Sequence, residues 1–368
     1  MSNKKLHILY TVLDWGLGHA TRSIPIIQYL LDCDVRVTFI GEGNSLFLLK
    51  QTFPQCESYQ VKGIEAKYSS QDSLVLKMAL SIPKNLFAIY REHYQINQIV
   101  KRINPDAIIS DSRFGAWTKK IPCVFITHQL NIKAPINFRW LEPIIYKLNK
   151  FFLTKYSKVW VPDFSGVNNL SGELSHNKKS IAELNPEFIG PLSRFSKNFD
   201  SNNKEIYELL IIISGPEPQR NIFENQCIEQ AKKLDKKTLI VCGRPQDEAI
   251  REFGKIKVLG NLSLEELNSL IITTKNVVCR SGYSSIMDLF VLQKNAICIP
   301  TPGQTEQEYI AEFLSNQKFI VTQKQSEFNL QESLNFLKQC ESFNVAGNSS
   351  YKIQINYFLV ELVSHLKN

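Results

Sequence analysis

No apolar run in this 368-residue chain approaches the roughly 18 to 20 residues that a spanning helix needs, which excludes an integral helical membrane protein. Its eight cysteines form no Cys-x-x-Cys pair and no Cys/His cluster, so neither a disulfide framework nor a zinc site is indicated. Thiols scattered through apolar segments fit a reducing compartment. Glycine (16) and proline (15) are too few, and apolar residues (43%) too many, for a collagenous, low-complexity or disordered chain. The opening segment MSNKKLHILYTVLDWG has no small-residue cleavage site and is interrupted by Asp14. It predicts a first buried strand in place of a signal peptide, and with it a cytoplasmic protein. The length suffices for two domains at roughly 150 residues each.

The net charge of +8 is unevenly placed: residues 1–190 hold 23 Lys and Arg against 15 Asp and Glu, whereas residues 191–368 hold 20 of each. The excess is densest over 133–158. There Lys133, Arg139, Lys147, Lys150, Lys155 and Lys158 are accompanied by Glu142 alone and interleaved with Phe138, Trp140, Leu141, Ile144, Ile145, Tyr146, Phe151 and Phe152. The mixture suits an amphipathic surface on anionic lipid and equally a solvated helix whose apolar face is core. No recognised binding motif accompanies it, so no nucleic-acid partner is expected.

Short β-branched runs alternate with amphipathic segments in both halves, the pattern of parallel sheets covered by helices. Strands are predicted at Leu6 to Val12, Val35 to Gly41, Asp106 to Ser110, Val124 to Thr127 and Val159 to Val161, with helices over Ala20 to Leu31, Lys84 to Ile103 and the basic stretch. The second half predicts strands at Leu209 to Ser214, Thr238 to Cys242, Lys257 to Leu259, Val277 to Cys279, Ala296 to Ile299 and Phe319 to Val321. Gly190, Pro191 and a polar run break the pattern between Pro186 and Asp200, where the joint and a cleft between domains are expected. In open α/β sheets ligands sit beyond the carboxyl ends of the strands, so the loops there hold the candidate residues.

After the first strand comes Asp14-Trp15-Gly16-Leu17-Gly18-His19 and then a helix, a glycine turn beneath a helix N-terminus that attracts anions. The glycine spacing is not that of a nicotinamide fingerprint, although Glu42 follows the second strand. His19 is placed either to take a proton from an attacking hydroxyl or to make an ordinary capping or packing hydrogen bond. Asp111, ahead of Arg113, shares that rim and suits orienting an imidazole, acting as base itself, or capping a helix. His128, Gln129 and Asn131 follow the next strand, a polar set fit for a hydroxylated or amide-bearing ligand.

In the second half Ser214, Gly215 and Arg220 surround a turn that suits a phosphate or merely a turn. The stretch Arg280-Ser281-Gly282-Tyr283-Ser284-Ser285 opens a helix at Gly282, with Ser284 and Ser285 in a first turn suited to a diphosphate. Asp288 lies one turn past Ser284, where a carboxylate accepts both hydroxyls of a ribose, and Gln304 and Gln307 offer neutral groups for sugar hydroxyls.

In this order, the loop ending at His19, the Thr127-His128-Gln129-Leu130-Asn131 segment, the Arg280 to Asp288 segment and the Gln304 to Ala311 segment resemble the GT-B glycosyltransferases of family 28, the MurG-like group. The resemblance covers nearly the whole chain. It departs where the group has GGTGGH (here DWGLGH), HEQN (here His128-Gln129-Leu130-Asn131) and a glutamate at the place of Asp288. It implies a Rossmann-like acceptor domain over 1–190, a nucleotide-sugar domain over 191–350, and a helix over 351–368 that packs back on the first domain.

By this likeness the donor is a UDP-sugar, with Ser284 and Ser285 on its diphosphate, Asp288 on its ribose, and Gln307 and Gln304 on its sugar. The glycine loop (Trp15, Gly16, Gly18), His19 and His128 then face the acceptor. The expected reaction is an inverting, metal-independent transfer of a hexose or N-acetylhexosamine to a hydroxyl acceptor, lipid-linked or of the cell envelope, with no cofactor beyond the donor. His19 is then the base, Asp111 its orienter, and Arg280 and Arg220 the charges that meet the leaving diphosphate. An epimerase or hydrolase on the same fold, or a noncatalytic nucleotide-sugar-binding protein, remains as a rival.

Overall fold

A computed structural model describes residues 5–64, 74–197, 207–244, 247–343 and 350–367, without the side chains of 74–82 and 365–367. The chain divides into two compact units, Met1–Arg194 with Ala346–Asn368, and Phe195–Val345.

The first unit runs β1 (His7–Val12), α1 (Gly18–Asp32), β2 (Arg36–Gly41), α2 (Gly43–Thr52), β3 (Glu57–Gln60), α3 (Leu74–Ile103), β4 (Ala107–Asp111), β5 (Cys123–Ile126), a 3-10 segment (Ile136–Leu141), α4 (Glu142–Leu153), β6 (Lys158–Val161), α5 (Glu173–His176), α6 (Lys178–Leu184) and β7 (Glu187–Phe188). Its sheet is ordered β3-β2-β1-β4-β5-β6-β7, every pair parallel. The basic stretch is not one helix. Pro135 and Pro143, which lack an N–H donor, stand at the starts of its 3-10 and α-helical pieces.

The second unit runs β8 (Leu209–Ile212), α7 (Gln219–Ala231), β9 (Thr238–Val241), β10 (Arg251–Phe253), β11 (Ile256–Leu259), α8 (Leu264–Thr273), β12 (Asn276–Cys279), α9 (Tyr283–Val291), β13 (Ile297–Cys298), α10 (Thr305–Asn316) and α11 (Leu330–Leu337). Its sheet is ordered β10-β11-β9-β8-β12-β13. Leu209, Ile211 and Ile240 enter one core and Leu210, Leu239 and Val241 the other, because successive side chains of a strand point to opposite faces. With both faces covered, these strands read as unbroken apolar runs.

Two expectations fail here. The edge strand β10 pairs antiparallel with β11, so the sheet is not wholly parallel. Phe319 to Val321 forms a single bridge from Val321 to Ile297 and no strand. Lys318 enters it with φ 59, and the chain leaves it for a 3-10 turn at Gln325–Glu327.

The final helix α12 (Tyr351–Lys367) belongs to the first unit. Phe358 on its buried face meets Trp160 of β6 edge to face at 5.6 Å, and Asn356 accepts a hydrogen bond from the Tyr29 hydroxyl. Phe358→Ala removes a fully buried ring and is expected to lower the stability of this unit by about 3 kcal/mol, read by denaturant unfolding.

Candidate active site

The loop from β1 into α1 is fixed at three points. Asp14 Oδ1 accepts the backbone N–H of Ser45 at 2.9 Å in the first turn of α2, and the Trp15 indole N–H donates to the carbonyl of Ile64 at 2.6 Å. Gly16 turns at φ 88, a conformation that side-chain-bearing residues rarely adopt. α1 then begins at Gly18 and presents His19, Arg22 and Ser23 along one face, since residues three and four apart are helical neighbours.

That face meets Asp111. β1 and β4 are adjacent and place Val12 opposite Asp111, so the carboxylate stands at the carboxyl edge beside the start of α1. Asp111 is fully buried. His19 Nδ1 lies 2.8 Å from its Oδ1, and Arg22 donates to both oxygens, with Nε to Oδ2 at 2.7 Å. Burial opposes ionisation of Asp111, but the charges and hydrogen bonds of Arg22 and His19 outweigh it and hold the carboxyl well below the usual carboxylate range. Burial, then the Arg22 guanidinium, push His19 below its ordinary 6.5, so its imidazole is neutral at pH 7. Arg22 Nη2 also lies 3.0 Å from His19 Nδ1. A proton on that nitrogen has the carboxylate as its acceptor, which leaves the Nε2 lone pair free. Among the described residues no hydrogen bond reaches Nε2, and the ring is 18% exposed.

The other sequence candidates of this unit fall into two groups. The His128 ring joins the same network, its Nδ1 3.1 Å from Arg22 Nη1, and Gln129 follows it with its backbone carbonyl bonded to Asn149. Arg113 and Asn131 are corrections. The Arg113 guanidinium is buried, paired with Glu92 at 2.5 Å and donating to the carbonyls of Val61 and Val12, so it ties loops together and offers nothing to a ligand. Asn131 spends its amide on Ser180 and on the Glu173 carbonyl, fastening this loop to α5 and α6.

In the second unit β8, β12 and β13 are neighbours, so the loops after them gather at one carboxyl edge. Ser214 is exposed there, and Gly215 turns at φ 105. Arg220 anchors that turn, donating to the carbonyls of Gly215 at 2.9 Å and Gly243 at 3.2 Å. Gly282 caps α9, which starts one residue later than expected, and half-exposed Ser284, Ser285 and Asp288 lie on its first turns.

Arg280 corrects the sequence reading. It is buried over the Phe223 ring at 3.9 Å and donates to the carbonyls of Ile299, Pro300 and Gln219, with no carboxylate partner among the described residues. Loss of water pulls it down to about 10, which still leaves it charged at neutral pH. It therefore braces the loops and does not reach a ligand itself. Ser281 is buried too, donating to the Gln307 carbonyl at 2.9 Å. Gln307 accepts from the Thr301 N–H at 2.9 Å and donates to Gln304, which shapes the loop ahead of α10.

Sequence reasoning missed two residues of these networks. Arg22 was legible, three residues after His19 on one helical face. Glu92 was not, since nothing local in the sequence joins it to Arg113.

Two α/β units, one with a seven-stranded parallel sheet and one with a six-stranded sheet parallel but for an edge strand, are the architecture of the GT-B glycosyltransferases. A model of the glycosyltransferase family 28 C-terminal domain matches residues 211–351, and the chain is similar to the MurG-like group of GT-B glycosyltransferases. It is similar to UDP-N-acetylglucosamine--N-acetylmuramyl-(pentapeptide) pyrophosphoryl-undecaprenol N-acetylglucosamine transferases. The one from Buchnera aphidicola subsp. Schizaphis graminum is 24% identical over 92% of this chain and 91% of the relative, and the one from Haemophilus ducreyi is 22% identical over 87% and 86%. Among solved structures, the glycotransferase of kitacinnamycin aligns with a TM-score of 0.61 at 15% identity, covering 98% of this chain and 96% of that one. Acinetobacter baumannii MurG aligns at 0.54 and 14% identity, covering 91% and 90%.

The His19 environment carries a direct test. Because burial and Arg22 both disfavour the imidazolium, NMR titration of His19 is expected to give a midpoint below 6.5, and Arg22→Gln to move it upward.

Proposed function

We propose that this glycosyltransferase moves a hexose or N-acetylhexosamine from a UDP-sugar to a hydroxyl acceptor with inversion and without a metal. The single observation that carries the reading is the His19–Asp111 pair, a neutral imidazole with its Nδ1 on a buried carboxylate. On this reading the first unit binds the acceptor and the second binds the donor. The relatives' names, which specify UDP-N-acetylglucosamine and an undecaprenol-linked acceptor, support the donor class and a lipid-linked acceptor.

In the reaction, His19 Nε2 takes the proton of the acceptor hydroxyl while that oxygen attacks the anomeric carbon. The bond from the anomeric carbon to the diphosphate oxygen breaks on the opposite side of that carbon, and its electron pair leaves with UDP. Asp111 cannot be the base: it is fully buried and its oxygens are held by His19 and Arg22, so it orients the ring and stabilises the imidazolium that forms. Charge on the departing diphosphate meets the positive dipole end at the start of α9, with Ser284 and Ser285 in its first turn and Arg220 at the start of α7. Asp288 takes the ribose, and Gln304 and Gln307 the donor sugar. No cofactor enters this scheme.

The reading also places the enzyme on the cytoplasmic face of an anionic membrane. Ile136, Trp140, Ile144, Leu148 and Phe151 of the basic stretch are exposed, as are Phe87, Tyr90 and Tyr94 on α3. Lys133, Lys150 and Lys158 are paired with Glu173, Glu183 and Glu187, which the local sequence did not reveal, so apolar contact carries more of the attachment than charge. Among the described residues, no helix is long and apolar enough to cross a membrane.

His19→Ala is expected to lower kcat by about 10² to 10⁴-fold while a thermal-shift assay still registers UDP; turnover within threefold of wild type would remove the base assignment. Since the protonated ring cannot accept a proton, kcat/KM falls as the pH drops through the His19 midpoint, below 6.5. For the membrane, Trp140→Ser is expected to weaken co-sedimentation with anionic vesicles, and binding indifferent to this change would overturn the placement.

A further inference from the structure

Two histidines share the carboxyl edge of the first sheet, and one guanidinium touches both. Arg22 Nη1 lies 3.1 Å from His128 Nδ1, and Nη2 lies 3.0 Å from His19 Nδ1. The donor inventory of arginine decides which nitrogen of each ring carries the proton. A guanidinium has five N–H groups in a rigid plane and no lone pair, so any group bonded to it must accept. Here Nε–H goes to Asp111 Oδ2 at 2.7 Å. The two hydrogens of Nη2 go to Asp111 Oδ1 and to Ser112 Oγ, the latter at 3.1 Å.

Ser112 is held in place for that second bond. It follows Asp111 with φ 60, a left-handed conformation uncommon for a serine, and its N–H is tied to the Ile126 carbonyl at 3.2 Å. Its hydroxyl donates to the same carbonyl at 3.2 Å, so the oxygen turns a lone pair toward Arg22. With both Nη2 hydrogens committed, His19 Nδ1 has no donor to receive and gives its own proton to Asp111 Oδ1, 2.8 Å away. At His128 the polarity is reversed. Arg22 Nη1 offers only hydrogens, so His128 Nδ1 accepts and the single proton of that ring sits on Nε2.

We propose that Arg22 and Ser112 are positioning residues that set the two histidines in opposite tautomers, so that of the pair His19 alone is fit to be the base. His19 carries its proton on Nδ1 and keeps Nε2 bare. His128 carries its proton on Nε2 and, whatever group that N–H meets, has no lone pair left to take another. The inference rests on the transferase reading only where it predicts turnover, since the tautomers belong to the resting protein. Ser112 controls the balance. Without its oxygen, one Nη2 hydrogen is released 3.0 Å from His19 Nδ1, where it favours the tautomer that accepts at Nδ1 and is protonated at Nε2. A ring in that state cannot serve as base.

The test is long-range proton–nitrogen NMR of the histidine rings in the full chain at neutral pH, which tells a protonated ring nitrogen from a bare one. His19→Gln and His128→Gln identify the two rings among the six histidines by the signals they remove. Wild type is expected to show a bare Nε2 at His19 and a bare Nδ1 at His128; the same tautomer in both rings, or a bare Nε2 at His128, would overturn the proposal. Ser112→Gly deletes the hydroxyl, suits the left-handed backbone and leaves the Asp111–Arg22 pair whole. It is expected to move about half or more of His19 to the Nε2-protonated form and to lower kcat in the same proportion, about twofold or more, because only the ring with a bare Nε2 reacts. A fall in kcat with the His19 tautomer unmoved, or no change in either, would overturn the role of Ser112. Tautomers that follow the expectation in both proteins while turnover ignores them would instead discredit His19 as the base of the transferase reading, with the assignment of the two rings intact.

Discussion

A carboxylate sealed from water must have its charge met locally, and Asp111 imposes that condition on the first unit. Isolated, it would take up a proton or destabilise the fold; here Arg22 and His19 keep it ionised. Much of the surrounding structure follows. β4 must end beside β1 so that the carboxylate reaches the helix that follows β1, and α1 must turn the face holding His19, Arg22 and Ser23 toward the sheet edge. The same guanidinium extends to His128 in the loop after β5, so three strand ends are linked through one cation. Truncating either member of a buried pair leaves the other exposed to the full desolvation penalty, about 3 to 5 kcal/mol, and this keeps the arrangement intact. The chemistry follows from the same constraint: a carboxylate committed to two donors cannot serve as base, but it fixes which imidazole nitrogen faces outward.

The second unit solves a related problem with the opposite charge and a different kind of partner. Arg280 is buried with no acid paired to it among the described residues, and its positive charge is met by three main-chain carbonyls and the face of Phe223. Carbonyl dipoles compensate a cation less completely than a carboxylate does, which is why burial pulls Arg280 downward while Asp111 is held ionised. In exchange the guanidinium joins the loop after β13 to the start of α7, and with Ser281 and Gln307 it makes the strand-end loops rigid without placing a side-chain charge at the surface. The start of α9 turns the positive end of its helix dipole to that edge, which suits an anion better than a cation.

The strands of both sheets were legible because each is buried on two faces, and so appears as a β-branched run. β3 and β7 were not, since Glu57–Gln60 is polar and lies at one edge, and Glu187–Phe188 is a two-residue strand at the other. β10 escaped for the same reason, as an antiparallel edge strand with two exposed residues. At the site, the residues whose partners lie one helical turn away could be read from spacing, as with His19 and Arg22. Arg113 and Arg280 could not. An arginine beside a strand end looks the same in sequence whether it faces solvent or turns inward, and only the distant Glu92 or the carbonyls of Ile299 and Pro300 decide the matter. The pairing of the basic stretch was hidden in the same way: the carboxylates that meet Lys133, Lys150 and Lys158 come from α5, α6, β7 and α12.

The buried charges of Asp111 and Arg280 also divide what can change from what cannot. Replacing a residue that touches Asp111 or Arg280 disturbs a charge balance in a dry interior, so variation there is resisted whatever the substrate. Trp15 lies outside both networks. Its single polar bond is made to a backbone carbonyl, which any residue at position 64 supplies, and its ring faces solvent. A change at this position alters the exposed surface beside α1 while leaving the His19–Asp111 geometry alone. The loop sequence DWGLGH, with glycine kept where the backbone turns and a bulky aromatic admitted one residue earlier, fits that division: Gly16 is held by its φ of 88, whereas position 15 carries no such backbone constraint.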